Sequence, residues 1–255
     1  MKIENCTALV TGGNRGIGEA FVRALLERGA RRVYVGTREV ANAQHLVDEA
    51  PERVVAVELD VTNPAHVAAA AERCGDVSLL INNAGQFSMK TLIGAEDMSA
   101  ARAEMEVNYF APLAMCRAFA PILARHEQSG VINVLSAGGL VAVPGMGGYS
   151  PSKFAARAMT TCVRAELAAQ HTQVTALIVG SVDTRMAAHV EGLKEPPSAI
   201  AKAGLKAIER GVDEVDTDFM AIDVRAHLAR DPKGLELQMR RSLGAERVST
   251  GRKAS

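Results

Sequence analysis

Cysteine is scarce in this sequence and poorly spaced for cross-linking. Cys6, Cys74, Cys116 and Cys162 form no CxxC pair. They read as small apolar residues in a reducing compartment, which excludes a disulfide framework and a cysteine metal cage. The six histidines are scattered without HExxH spacing, so no metal site is expected. Charge of one sign is lacking as well, because 29 Lys and Arg balance 29 Asp and Glu. No global field then recruits nucleic acid or an anionic membrane, and neither is expected as a partner. No apolar run approaches the ~20 residues of a membrane span. The opening residues MKIENCTALVTGG enter a strand without a secretory h-region. These absences leave a cytoplasmic protein as the expectation.

What is present is an alternation. The chain has 255 residues, 48% of them hydrophobic, which suits one large α/β domain over 1–255. Short β-rich runs at 7–11, 32–36, 54–60, 77–83, 130–136 and 174–180 are separated by stretches of helical period. Those stretches fall at 16–28, 40–49, 64–71, 99–125 and 149–170. Continuous apolar strands alternating with helices predict a parallel sheet covered on both faces. Right-handed crossovers make it a doubly wound, Rossmann-type sheet, whose ligands bind outside the carboxyl ends of the strands. After Gly180 the pattern weakens. A substrate lid is expected over 186–210, including a helix at 198–210. A short strand near 218–222, a last helix in DPKGLELQMRR and a flexible tail over 245–255 complete the expectation.

Three segments fall at strand ends and carry chemistry. The first is TGGNRGIG, between a strand and a helix. There Gly12, Gly16 and Gly18, with Asn14 and Ile17 between them, let the backbone approach a pyrophosphate at a helix N-terminus. A dinucleotide fold preferring NAD places an acid after the second strand. This chain has Thr37 and Arg38 instead, and Arg15 lies within the turn, so NADP(H) is favoured over NAD(H). Glu39 is the counterweight, read as the start of the next helix, where an acid suits the dipole. Asp60, with Val61 beside it, closes the third strand and is able to accept from an adenine amino group, although a turn aspartate before Asn63 and Pro64 is an equal reading. The second segment is NVLSAGG, with Ser136 at its strand end. The third is YSPSK. Tyr149 four residues before Lys153 puts a phenol and an ammonium on one helix face. Lys153 is therefore expected to pull the phenol below its reference near ~10, as a proton donor to a carbonyl requires.

Together, TGGNRGIG, the NNAG at 82–85, Asn108 in EVNYF, Ser136 and YSPSK resemble the short-chain dehydrogenase/reductase family in its compact form. The resemblance covers about 7–184. It implies Tyr149 as acid and base, Lys153 on the nicotinamide ribose, Ser136 on the substrate oxygen, and Asn108 anchoring a relay water. It also implies Asn83, Ala84 and Gly85 along the adenosine ribose, and Val179, Gly180, Val182 and Thr184 at the nicotinamide. Two features depart from the family pattern: Val179 replaces the usual proline before Gly180, and no seventh strand with a glycine-rich ending is evident. Gln86, Phe87, Gly138, Leu140, Val143, Met146, Ser181, Met186 and Val190 are expected to border a small-molecule carbonyl or alcohol substrate, alongside Ser136 and Tyr149. Their apolar character favours a lipophilic ketone. A thioester reductase, an NAD-dependent alcohol dehydrogenase and a non-catalytic nucleotide sensor stay open as alternatives. Family members pair their long helices across a two-fold axis, so a homodimer or homotetramer is expected.

Overall fold

Six strands rich in Val, Leu, Ile and Ala leave little face for water, and the sheet they form is covered on both sides. The computed structural model describes residues 1–188 and 190–250, with side chains through 241. Its strands are β1 (Thr7–Thr11), β2 (Arg32–Thr37), β3 (Val54–Glu58), β4 (Leu79–Asn82), β5 (Ser129–Val134), β6 (Thr172–Ile178) and β7 (Glu214–Asp216). They pair in parallel in the order β3-β2-β1-β4-β5-β6-β7. The order reverses between β1 and β4, which opens a crevice at their carboxyl ends. The helices are α1 (Gly16–Glu27), α2 (Gln44–Glu49), α3 (Pro64–Arg73), α4 (Ser99–Met105), α5 (Ala111–Leu123), α6 (Tyr149–Leu167), α7 (Pro197–Glu209), α8 (Phe219–Arg230) and α9 (Pro232–Thr250).

Two apolar layers sandwich the sheet. On one face Phe21 and Leu25 of α1 meet Ile200, Leu205 and Ile208 of α7. On the other, Met115 and Phe119 of α5 meet Met159 and Val163 of α6. Local chemistry starts the elements. Asn63 caps α3 by accepting from Ala65 N at 2.9 Å, with Pro64 in the first turn, a cap generally worth ~1 kcal/mol.

Three expectations change. The single helix at 99–125 is interrupted by a π-helical turn, Glu106–Phe110, which holds Asn108. The strand expected at 218–222 lies earlier, as β7, and those residues instead begin α8. β7 reads EVD and is not apolar. Its place at the edge is secured by ions, with Glu214 bonded to Arg157 and Arg225, both at 2.8 Å. The lid also contracts, because α7 buries Ile200, Ala201, Gly204, Leu205, Ala207 and Ile208 and so belongs to the core layer. What borders the site is the stretch before it, where Val182 pairs with Glu195. Of the expected tail, 245–250 continues α9 as backbone, and 251–255 lies outside the described residues. No helix among the described residues is long and apolar enough to cross a membrane.

Candidate active site

The turn between β1 and α1 is shaped by backbone that only glycine adopts without strain. Gly12 and Gly16 sit at φ of +61° and +57°. Gly18 is needed for closeness, since a Cβ there would strike the Gly12 carbonyl and stand 2.6 Å from Asn83 Nδ2. Asn83 holds the turn by donating to the carbonyls of Thr11 at 3.0 Å and Gly12 at 3.2 Å. Thr11 returns the tie, its hydroxyl accepting from the N–H groups of Asn83 at 3.0 Å and Ala84 at 3.1 Å. Asn83 and Ala84 are thus structural partners of the glycine turn. Ile17 packs on the apolar core, and Asn14 is half-buried at the bend.

Arg15 and Arg38 are exposed. Neither side chain has a hydrogen bond or ion pair among the described residues. Desolvation lowers the Arg15 pKa, and the charges of Arg185 and Arg38 push it down further. Arg185 was not anticipated. Its neighbour Thr184 packs against the glycine turn, 3.4 Å from where a Gly16 Cβ would stand, and that contact brings the two basic segments together. Thr37 is buried and donates to the Glu39 carbonyl at 3.2 Å, so its hydroxyl is committed to its own loop. Asp60 accepts from both N and Oγ1 of Thr62, at 2.9 and 2.7 Å, and those bonds hold its carboxyl below the usual range. This is the turn-aspartate geometry. Val61 is half-buried beside it.

At the end of β5 the residues expected to carry the chemistry, Ser136, Tyr149 and Lys153, converge. A Cβ on Gly138 would lie 3.4 Å from Ser136 Oγ and 3.6 Å from the Tyr149 ring. Lys153 is buried and donates to the Val134 carbonyl at 3.0 Å. Its nitrogen lies 5.6 Å from the Tyr149 ring centroid. Burial brings the Lys153 pKa down to about 8. The Tyr149 pKa is raised, contrary to the expectation from its spacing to Lys153. Burial is the largest cause. The Ser136 hydroxyl pulls the other way, and the charge of Glu104 pushes up again. Lys153 spends its ammonium on a backbone carbonyl, and desolvation of the phenol wins.

Asn108 is buried in the π turn, and π turns favour functional sites. Its side chain clamps Gln86, accepting from Gln86 N and donating to Gln86 O, both at 2.9 Å, and it also donates to Ser152 Oγ at 3.0 Å. Both amide protons are therefore engaged within the protein. A Cβ on Gly85 would lie 3.4 Å from Asn108 Oδ1 and 3.8 Å from Lys153 Nζ. Of the residues expected near the substrate, Val143 and Met146 form the half-buried bend before α6, and Met186 is exposed. Leu140 is instead buried with Leu135, Ala176 and Ile178, so its side chain belongs to the core.

Beyond β6, Val179 and Val182 are buried. Gly180 is secured by a residue that sequence reasoning missed: its N–H donates to Asp218 Oδ2 at 2.6 Å, while Asp218 Oδ1 caps α8 through Ala221 N at 3.0 Å. An aspartate preceding a helical stretch was the available signal. The hydroxyl of Ser181, in the same loop, is buried with no partner among the described residues.

This chain matches the short chain dehydrogenase family over residues 6–193 and belongs to it. A short chain dehydrogenase from Burkholderia cenocepacia, solved in complex with NADP, is 45% identical, with a TM-score of 0.88. That match covers 94% of this chain and 99% of the other. Dehydrogenase/reductase SDR family member 7B of Mus musculus is 30% identical over 197 residues, 72% of this chain and 60% of that protein. Short chain dehydrogenase mpl6 of Monascus purpureus is 30% identical over 193 residues, 71% of this chain and 66% of that protein. The chain thus spans about 60% of the length of the mouse relative.

Proposed function

We propose that the chain is an NADP(H)-dependent oxidoreductase interconverting a lipophilic ketone and its secondary alcohol, with Tyr149 as acid and base. The observation that carries this reading is the meeting of Ser136, Tyr149 and Lys153 at the carboxyl end of β5. NADP(H) fits the residues present. The glycine turn has no Cβ to obstruct a pyrophosphate, Arg15 and Arg38 are unpaired cations for a 2′-phosphate, and Ser181 Oγ is a buried group awaiting a partner. The Burkholderia cenocepacia relative holds NADP. Where NAD would call for an acid after β2, this chain has Thr37 and Arg38.

When bound, NADPH supplies a hydride to the carbonyl carbon. The rest of the chemistry falls to side chains. Negative charge gathers on the carbonyl oxygen as its carbon is reduced, and two hydroxyls aimed at that oxygen stabilise it. Ser136 donates a hydrogen bond, and Tyr149 passes its proton, so that the C=O bond becomes C–H and O–H. Lys153 then favours the phenolate left behind. In the reverse direction that phenolate removes the alcohol proton. A lipophilic substrate is supported by exposed apolar side chains near the strand ends: Met89, Ile93 and Met186 between the α-helices, and Phe219 at the start of α8.

The test is NADPH and NADH consumption against a panel of aryl and alkyl ketones, with thioester substrates alongside. Turnover with NADPH is expected, and Tyr149→Phe should abolish it. Undiminished activity of that variant removes the mechanism. In the same assay Arg38→Asp should shift preference toward NADH by ~10-fold or more, the scale of one charge-assisted bond. The reading includes a homodimer or homotetramer, supported by Phe110 and Phe154, 49% and 41% exposed beside α5 and on α6. A strictly monomeric mass by light scattering refutes that assembly.

A further inference from the structure

Glu104 is 1% exposed, although its setting in ARAEMEVN reads as a solvated helix face. An acid taken out of water is costly unless its oxygens are bonded. Here Oε1 accepts from Ser88 N at 2.6 Å, a short bond of the charge-assisted kind. No ion pair reaches the carboxylate among the described residues. Its other oxygen, Oε2, lies against Gly148, where a Cβ would come within 2.8 Å. Glu104 therefore touches the residue after Phe87 and the residue before Tyr149. The Phe87 and Tyr149 rings pack on each other with centroids 5.0 Å apart. One buried carboxylate joins the two segments that carry this ring pair.

We propose that Glu104 is a positioning residue for Tyr149, seating the Phe87–Ser88 segment against the start of α6 and setting, through its charge, the pH range in which the phenol exchanges its proton. The proposal rests on the acid–base reading of Tyr149. The groups that face the phenol come from three elements: Ser136 from the end of β5, Lys153 from α6 itself, and Glu104 from α4. Lys153 favours phenolate and Glu104 opposes it. Burial is the larger influence, and with the Glu104 charge it keeps the phenol protonated against the pull of the Ser136 hydroxyl, as an acid in ketone reduction must be. The bond to Ser88 makes this more than a distant charge, because losing it would release the loop on which Phe87 rides.

Glu104→Gln separates charge from shape, since glutamine keeps an oxygen for Ser88 N at nearly the same size. The readout is the pH dependence of kcat/KM in both directions, with circular dichroism to confirm folding. The limb assigned to Tyr149 should move to lower pH by roughly half to one pH unit, a shift typical of losing one nearby like charge. Coincident limbs overturn the proposal. Should the variant not fold, the parent protein decides. Absorbance titration near 295 nm, less that of Tyr149→Phe, should then reveal a phenol ionising above the ordinary value near ~10 without cofactor. Ionisation at or below that value overturns the proposal. If Tyr149→Phe stays fully active, the acid–base reading fails and takes this proposal with it. If Tyr149→Phe is inactive and the limbs do not move, only the proposal fails.

Discussion

The two ends of the site are built on different physics. At the glycine turn, position is enforced by hard contact: Gly18 abuts the Gly12 carbonyl, and Asn83 and Thr11 close the hydrogen bonds. No charged side chain takes part in those ties. At the end of β5 stand a buried lysine and a half-buried phenol whose pKa values are both displaced, with a buried carboxylate nearby. Steric fit is satisfied by a handful of neighbours in one turn. Electrostatic tuning depends on what every surrounding element excludes or contributes. The first end is therefore suited to holding a ligand, and the second to changing the protonation of one.

The contrast can be attacked at three points. The largest effect is expected from Gly18→Ala, whose Cβ has nowhere to go but into backbone. NADPH binding, followed by cofactor fluorescence, should weaken at least ~100-fold, or ~3 kcal/mol. A loss of only a few-fold would mean that the turn yields and that contact does not set its shape.

Next is Lys153→Met, which tests whether the other end carries an electrostatic load. In the folded protein Lys153 titrates at about 8, below its ordinary 10.5. The unfolded chain therefore binds more protons across that window, and stability rises with pH between those values and is flat below them. The fall corresponds to roughly 3 kcal/mol at most. The buried thiols of Cys6, Cys74 and Cys116, raised from 9.0 to about 12, pull stability down at high pH in parent and variant alike. In urea unfolding of the cofactor-free protein from pH 7.5 to 10, the stability of the parent relative to the variant should therefore rise with pH. Equal slopes in both would show that Lys153 carries no such load.

The smallest effect belongs to Asp218→Ala, which leaves both ends in place but frees the Gly180 N–H and uncaps α8. A destabilisation of about 2 kcal/mol is expected from a lost cap and an unpaired N–H. That corresponds to a Tm lower by about 4–8 °C for a chain of this size. NADPH affinity should change far less than in Gly18→Ala. An unchanged Tm would mean that something other than Asp218 fixes the loop after β6.

The same division decided what could be read from the sequence. Every apolar strand from β1 to β6 was legible, because burial on both faces demands continuous Val, Leu and Ile. The glycine turn and the alignment of Ser136 with Tyr149 and Lys153 were legible for the same local reason. β7 was not, since EVD is not apolar and is held by Arg157, 57 residues before Glu214, and by Arg225 on the helix that follows. Leu140 looked like a pocket residue because its loop borders the site, yet only the fold turns its side chain inward. Lys153 and Tyr149 were found as a pair, but the direction of the tyrosine shift was misjudged. Spacing gives proximity, whereas desolvation is a property of the whole surroundings. Glu104, Arg185 and Asp218 carried no pattern of their own beyond a helix-cap signal for the last.

The π turn at Glu106–Phe110 has a consequence for how this rod tolerates change. One wide turn resets the rotational phase of all that follows, so the helix has two independent faces joined at a splice. Upstream, the phase delivers Glu104 to the loop at Ser88; within the splice, it delivers Asn108 to Gln86. Downstream, Met115 and Phe119 keep their own alignment with the core. Losing a single residue there would leave the composition almost untouched and the rod still helical, yet it would put the two halves out of step, so that loop and core could not both be served.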